Sequence, residues 1–268
     1  MKRLLKWTLG IFIGVLFAIT ITTLYIAKPG SEETKVLTTN GLDDGMVTFI
    51  FDDGHKTFYD NAYPLFEEKG YDAAIAVDTL GQTLKRGDRM SWHNISEMEE
   101  SGWEVMSHSV THQRYDESSR IRVALELFLS KVQLEVLGYE VNQYVAPMST
   151  YPLDEHKDLL NRFYDASYTT YKNPKELPIE ELVLDEFDTN EMYRVNMEGK
   201  SPEELINYVD FADKNDVWIV FYEHQIGGED NYTKTETLSE LLNYIDDIEI
   251  DVKTGSDAIE KISMITNN

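Results

Sequence analysis

The 268-residue chain contains no cysteine, which excludes a disulfide framework, a thiolate nucleophile, a cysteine-bound zinc and a lipidated N-terminal cysteine. Any metal it binds is therefore held by histidine, aspartate or glutamate. Positive charge is also scarce, with 24 Lys and Arg against 49 Asp and Glu. The four charges among the first 28 residues are all basic (Lys2, Arg3, Lys6 and Lys28), which leaves the remainder at a net of −29. Phosphate backbones need the opposite sign, so nucleic acid is a poor partner. The acidic excess reads as a solvated surface, with attraction for cationic material as the sharper alternative. No internal repeat or low-complexity tract is present.

Long apolar runs are confined to one place. "WTLGIFIGVLFAITITTLYIA", from Trp7 to Ala27, is 21 uncharged residues, close to the ~20 that an α-helix needs to cross the hydrocarbon core. Three basic residues precede it and only Lys28 follows closely, which places the N-terminus in the cytoplasm and the bulk of the protein outside. Cleavage after Ala27 would leave bulky Tyr25 at the minus-three position, so an uncleaved anchor is favoured over secretion after signal cleavage. The expected organisation is a cytoplasmic stub and transmembrane signal-anchor over 1–28, a polar linker over 29–45 and one domain over 46–268; the chain, 42% hydrophobic overall, is long enough for one substantial core.

Within that domain, strand candidates at 46–51, 72–77, 103–108, 143–147, 165–170, 192–197, 217–224 and 247–252 alternate with helix candidates at 58–69, 92–101, 117–137, 153–163, 202–214, 236–246 and 256–263. The alternation predicts βαβ units and a parallel α/β sheet, open or closed into a barrel. Asp116 or Ser118 is the expected cap of the long third helix and Gly138 its end, while "SPEE" from Ser201 supplies a cap, an early proline and first-turn acids. Polar residues gather at the C-terminal ends of the strands, where parallel folds build their sites.

"FIFDDGH" puts Asp52 and Asp53 directly behind an apolar strand. An unpaired charge taken out of water costs about several kcal/mol, comparable with a whole stability margin, so these carboxylates must be neutralised or used. "SHSVTH" places His108 and His112 four residues apart just after another strand. On a helical turn that spacing shares a face, and two imidazoles with a carboxylate make a three-ligand site that leaves positions open for water, the pattern of catalytic zinc.

"TFIFDDG", "SHSVTH", "YVAPMS" and "VFYEHQI", in that order, resemble the motifs of the polysaccharide deacetylases of carbohydrate esterase family four. The resemblance runs from about Met46 to about Ile262 and is closest to the branch acting on exported N-acetylglucosamine polymers. It implies a distorted (β/α)7-type TIM-like barrel and a divalent metal, usually zinc, with cobalt or nickel accepted by the same ligands. By position Asp53, His108 and His112 are the ligands and Asp52 is the general base for attack of metal-bound water on an acetyl group. The backbone of Met148 is the oxyanion donor beside Pro147, and His224 is the general acid. The implied substrate is an N-acetylglucosamine-containing polysaccharide. O-deacetylation of a glycan such as acetylxylan, and a catalytically decayed glycan-binding protein of an exopolysaccharide assembly, are the rival readings.

Some positions depart from the family. Val145 stands where many relatives have an arginine, and Met148 and Ser149 replace an aromatic and a glycine. Arg194 in "MYRVNM" matches an arginine of the exopolysaccharide branch and is the candidate to restore the missing charge. The acidic partner of His224 has no clear match, with Asp185 and Asp188 as weak candidates. His55 follows the acidic pair as a turn or substrate-facing residue, His93 and His156 fall at helix starts or faces, and Trp92, Trp103, Phe221 and Tyr222 read as packing.

Overall fold

The computed structural model describes residues 20, 22–28, 30, 35–115, 118–149, 156–169, 179–181, 183–227 and 232–266. Most of the expected membrane anchor lies outside the described residues; among the described ones no helix is long and apolar enough to cross a membrane.

In chain order the strands are β1 (Val36–Thr38), β2 (Met46–Asp52), β3 (Ala74–Val77), β4 (Glu104–Ser107), β5 (Gln143–Val145), β6 (Ala166–Thr169), β7 (Glu186–Asp188), β8 (Met192–Tyr193), β9 (Val195–Asn196), β10 (Trp218–Glu223) and β11 (Asp251–Val252). The helices are α1 (Tyr63–Lys69), α2 (Thr79–Leu84), α3 (Trp92–Glu100), α4 (Arg120–Val136), α5 (Lys157–Phe163), α6 (Pro202–Asn215), α7 (Thr235–Ile248) and α8 (Gly255–Thr266). The main sheet runs β8-β6-β5-β4-β3-β2-β10-β9, with β11 also pairing with β2. Its pairings are parallel. Its end strands, β8 and β9, are separated by Arg194 alone. The sheet therefore curls into a nearly closed α/β barrel. With β8 and β9 counted as one interrupted strand, it is consistent with the expected (β/α)7 form.

Residue parity along β2 decides what faces where. Val47, Phe49 and Phe51 join the apolar layer between sheet and helices, where Phe49 meets Phe66 edge-on with centroids 5.3 Å apart and Phe51 stacks on Trp103 at 5.6 Å. Met46 and Ile50 join a second cluster with Ala76, Val145, Tyr168, Trp218 and Val220. Side chains alternate faces along a strand, so Thr48 and Asp52 belong with Met46 and Ile50, on the barrel's interior side. Trp218 Nε1 donates to Thr48 Oγ1 at 3.0 Å and fills this interior, while Asp52 sits at its C-terminal mouth.

Several helix ends follow local sequence logic. Ser91 with Asn94, and Ser201 with Glu204, form reciprocal capping boxes, and Pro202 takes the first turn of α6. Other expectations are corrected. Helix α4 starts after Ser119 rather than at Ser118, whose hydroxyl turns back to the Arg114 carbonyl; Asp116 lies outside the described residues. Helix α7 runs through Ile248, so the strand expected from 247 is only Asp251–Val252. The stretch read as a linker contains β1, which pairs antiparallel with β7 and buries Leu37.

Candidate active site

Asp52 ends β2 almost wholly buried, and its two oxygens accept from Arg194 Nη1 at 2.8 Å and Nη2 at 2.9 Å. Arg194 occupies the one-residue gap between β8 and β9 and lies over the Tyr222 ring, 4.5 Å from its centroid. Burial pushes the Asp52 carboxyl up, but the Arg194 charge and its hydrogen bonds outweigh it and hold the group below the usual carboxylate value. Asp52 is thus an ionised acceptor. The fork from Arg194 supplies the positive charge that Val145 cannot.

The next residue turns elsewhere. Asp53 has φ of 72° and Gly54 of 63°, left-handed values that Asp tolerates and Gly adopts freely. Gly54 also packs close: an added Cβ would lie 2.9 Å from Gln82 Oε1. This reversal brings Asp53 Oδ1 within 3.1 Å of His112 Nε2 and 3.7 Å of His108 Nε2. His108 uses Nδ1 to donate to the Val145 carbonyl at 2.8 Å, which leaves its Nε2 lone pair free. Burial above all depresses the His108 pKa to about 4, so the ring is neutral near pH 7.

A carboxylate oxygen, the His108 Nε2 lone pair and His112 Nε2 therefore converge on one spot, these atoms all within 4.8 Å of one another, and buried Asp53 Oδ1 has no hydrogen-bond partner. A cation placed between them would engage all three residues. The donor set fits a divalent metal with coordination positions left open.

His224 follows β10 and shares Nδ1 with Glu198 Oε1 at 2.9 Å. Burial pulls the ring down, but the Glu198 hydrogen bond and the nearby Asp52 and Asp53 charges prevail and raise its pKa to about 9. Glu198 corrects the expectation for this partner: Asp185 lends its carbonyl to Thr39, and Asp188 sits in β7 near Lys157. Glu198, Glu223 and His224 are close enough to mimic a metal group. Glu223, however, already accepts from the His224 and Thr233 amides and anchors this turn.

Three further residues escape sequence reasoning. Arg89 Nη2 lies 3.1 Å from Asp78 Oδ1, and its Nη1 lies 3.8 Å from Asp53 Oδ1. Asp78 also caps α2 by accepting from the Gly81 amide, and burial raises its pKa to about 6 despite Arg89. Tyr222, read as packing, lies under Arg194 and edge-on to His224. Phe221 and Trp103 do belong to the core. Pro147 and Met148 form a short turn after β5; Met148 has φ of 55° and an exposed side chain. His55 forms an isolated bridge with Arg89, His93 is exposed on α3, and His156 is buried at the start of α5.

Comparison with known proteins bears on this arrangement. Residues 39–165 match the family model of polysaccharide deacetylase. No curated protein sequence matches the chain. Among solved structures, the carbohydrate esterase family four domain of a multidomain xylanase from the hindgut metagenome of Trinervitermes trinervoides superposes with a TM-score of 0.55 at 16% identity, covering 82% of this chain and 91% of that one. The peptidoglycan deacetylase PdaC from Bacillus subtilis gives 0.54 at 14% identity over 83% and 93%. A pseudoenzyme of the same family from Bacillus anthracis gives 0.56 at 12% identity over 81% and 66%. These likenesses concern the fold; residues 39–165, just under half of the chain, are similar to the polysaccharide deacetylase family.

Proposed function

We propose that the protein is a metal-dependent hydrolase that removes N-acetyl groups from an N-acetylglucosamine-containing polysaccharide. The observation that carries this reading is the convergence of Asp53, His108 and His112 between an ionised Asp52 and a cationic His224. Asp53, His108 and His112 would hold the ion, with zinc the best match and cobalt or nickel also compatible. Bound there, a divalent cation supplies Lewis-acid polarisation and lowers the pKa of a water toward ~7.

The chain's own residues account for the proton movements. Asp52 accepts the proton of the attacking water, and Arg194 keeps it ionised and fixed until then. The Met148 backbone N–H is the donor for the oxyanion as the acetyl carbon becomes tetrahedral. His224, with Nδ1 held by Glu198, gives its other ring proton to the nitrogen as the C–N bond breaks. Acetate and a free amine remain.

This acid favours N- over O-deacetylation. An amine leaves only once protonated, whereas an alcohol needs less help, and His224 is kept cationic up to about 9. Metal analysis of protein purified without added metal, with acetate release from matched N-acetylated and O-acetylated oligosaccharides, tests the reading. Release from the O-acetylated glycan alone would reassign the substrate. Stoichiometric metal and glycan binding without any release would make it a decayed binding protein.

The proposed setting is the outer face of the cell membrane, with residues 1–28 as anchor. Support comes from the apolar run and from how its exit is held: Ala27 and Lys28 carbonyls accept from Arg120 Nε at 2.8 Å and Arg162 Nη1 at 3.0 Å, and the Gly30 amide donates to Asp158 at 2.6 Å.

A further inference from the structure

Helix α4 is apolar on both of its faces. Val123, Ala124, Leu127 and Leu134 pack into the core, and Glu126, also buried, accepts from the Val110 and Thr111 amides at 3.0 and 2.9 Å. On the opposite side, at about 3.6 residues per turn, Ile121, Leu125, Phe128, Leu129, Val132 and Val136 fall in a single stripe. Ile121, Leu129 and Val136 are exposed, Val136 to 80%, and the other three are half-buried. A helix that is apolar all round belongs inside a protein or against lipid. The core of the domain accounts for one side of α4 only.

The partner of the other side is indicated by where the chain enters the domain. The apolar run from Trp7 ends at Ala27, on the first turn of α4. The Ala27 amide donates to the Thr23 carbonyl at 3.1 Å, a helical turn, and Ile26 is buried in the core. The Ala27 carbonyl accepts from Arg120 Nε at 2.8 Å, and the Arg162 guanidinium lies 4.8 Å from the centroid of the Tyr25 ring. Ile121, the first residue of the stripe, follows Arg120 directly. The end of the run is thus clamped beside the start of the stripe. Charge points the same way: α4 carries Arg120, Arg122 and Lys131 against the inward-turned Glu126 and Glu135, which pairs with Lys131 at 3.3 Å, although acids outnumber bases 49 to 24 over the chain. Basic groups flanking an apolar stripe suit anionic headgroups.

We infer that α4 lies along the outer surface of the membrane, its stripe sunk to the boundary between headgroups and acyl chains. The inference rests on the proposed anchoring by residues 1–28 and adds an orientation to it. At about 1.5 Å per residue, the 17-residue helix presents an apolar edge ~25 Å long to the bilayer. Glu126 ties the same helix to the loop between His108 and His112. The proposed metal site is therefore held at the membrane surface rather than at the end of a free tether.

Because the chain has no cysteine, a single label can report the contact. The full chain carrying Leu129→Cys is labelled with an environment-sensitive fluorophore and reconstituted into phosphatidylcholine–phosphatidylglycerol vesicles with brominated acyl chains. The control is Glu240→Cys, exposed on α7, which follows β10, three places from β4 in the sheet. The label at 129 should be quenched roughly threefold or more above the label at 240. Ile121→Glu with Val136→Glu, both at exposed positions, should abolish that difference at an unchanged denaturant midpoint. Equal quenching of the two labels would overturn the inference, as would quenching that survives the two added charges. A blue-shifted but unquenched label at 129 would assign the stripe to a second copy or to the chain's own N-terminal segment, and overturn it too. Carbonate extraction reads the anchor independently. A chain released by carbonate but quenched beforehand would lose the anchor and keep the docked helix; one retained but unquenched would keep the anchor and lose the docked helix.

Discussion

Arg194 and Asp52 stand 142 residues apart in sequence and form a buried, two-pronged ion pair at the barrel mouth. Arg194 occupies the gap between the two end strands of the sheet, so the residue at the barrel's seam also sets the charge of the carboxylate inside it. The residue at the seam of the fold and the residue that sets the site's electrostatics are thus the same.

Replacing Arg194 should therefore affect both properties. Arg194→Met leaves Asp52 buried without a counter-charge, a change that costs about 3–5 kcal/mol when one partner of a buried pair is removed. Arg194→Lys keeps the charge but loses the fork. Denaturant melts should show the larger stability loss for Arg194→Met, and kcat/KM should fall roughly tenfold or more in both, equivalent to at least ~1.4 kcal/mol of transition-state stabilisation. A fully active, fully stable Arg194→Met protein would remove Arg194 from the site.

Much of this was legible in the chain because parallel strands buried on both faces read as continuous apolar runs. "MVTFIFD" is buried at every position, and its parity sends Asp52 inward. Arg194 could be nominated only through the resemblance of "MYRVNM" to the exopolysaccharide branch. Glu198 could not be named as the partner of His224, since their contact spans 26 residues and exists only because β9 lies beside β10. Its placement just beyond a strand's C-terminal end was the available signal. Helix α2 has six residues, too few to show a period, and its cap Asp78 becomes visible only beside Arg89. The pairing of β1 with β7 joins two three-residue strands whose register comes from tertiary contact.

The two adjacent aspartates should separate on mutation. Asp52→Asn removes the proposed base while preserving the Asp53, His108 and His112 cluster, so metal content should persist and hydrolysis should fall by roughly 10²–10⁴. His108→Ala should lose both metal and activity. Atomic spectrometry alongside acetate release checks the pair, and near-normal rates from metal-loaded Asp52→Asn would refute the base assignment.

Glu198 should set the alkaline limit of the reaction. His224 has its pKa raised to about 9, so its acidic form persists through neutral pH and is lost as pH rises through that value. Because this value is above the unfolded one, the pair's contribution to stability is fully present below the ordinary histidine value of ~6.5 and also disappears as pH rises toward 9. Glu198→Gln removes the main opposing influence to burial. The alkaline limb of kcat/KM should move to lower pH and the stability difference from wild type should vanish above pH 9. An unmoved limb would show that another group is the acid.

Arg89 offers the sharpest contrast between charge and geometry around Asp53. Its guanidinium lies 3.8 Å from Asp53 Oδ1, the atom that also faces both histidines, and 3.1 Å from Asp78. A fixed positive charge there opposes a divalent cation on the same carboxylate, with an interaction screened but not abolished by its partial burial. Removing it in Arg89→Gln should leave Asp78 protonated to higher pH, because burial already raises that group to about 6 and Arg89 is the main influence holding it down. No new buried charge is then created beside the site. Metal affinity, measured by competition with a chromogenic chelator, should tighten several-fold. Weaker binding would instead mean that Arg89 orients Asp53, and that orientation matters more here than repulsion.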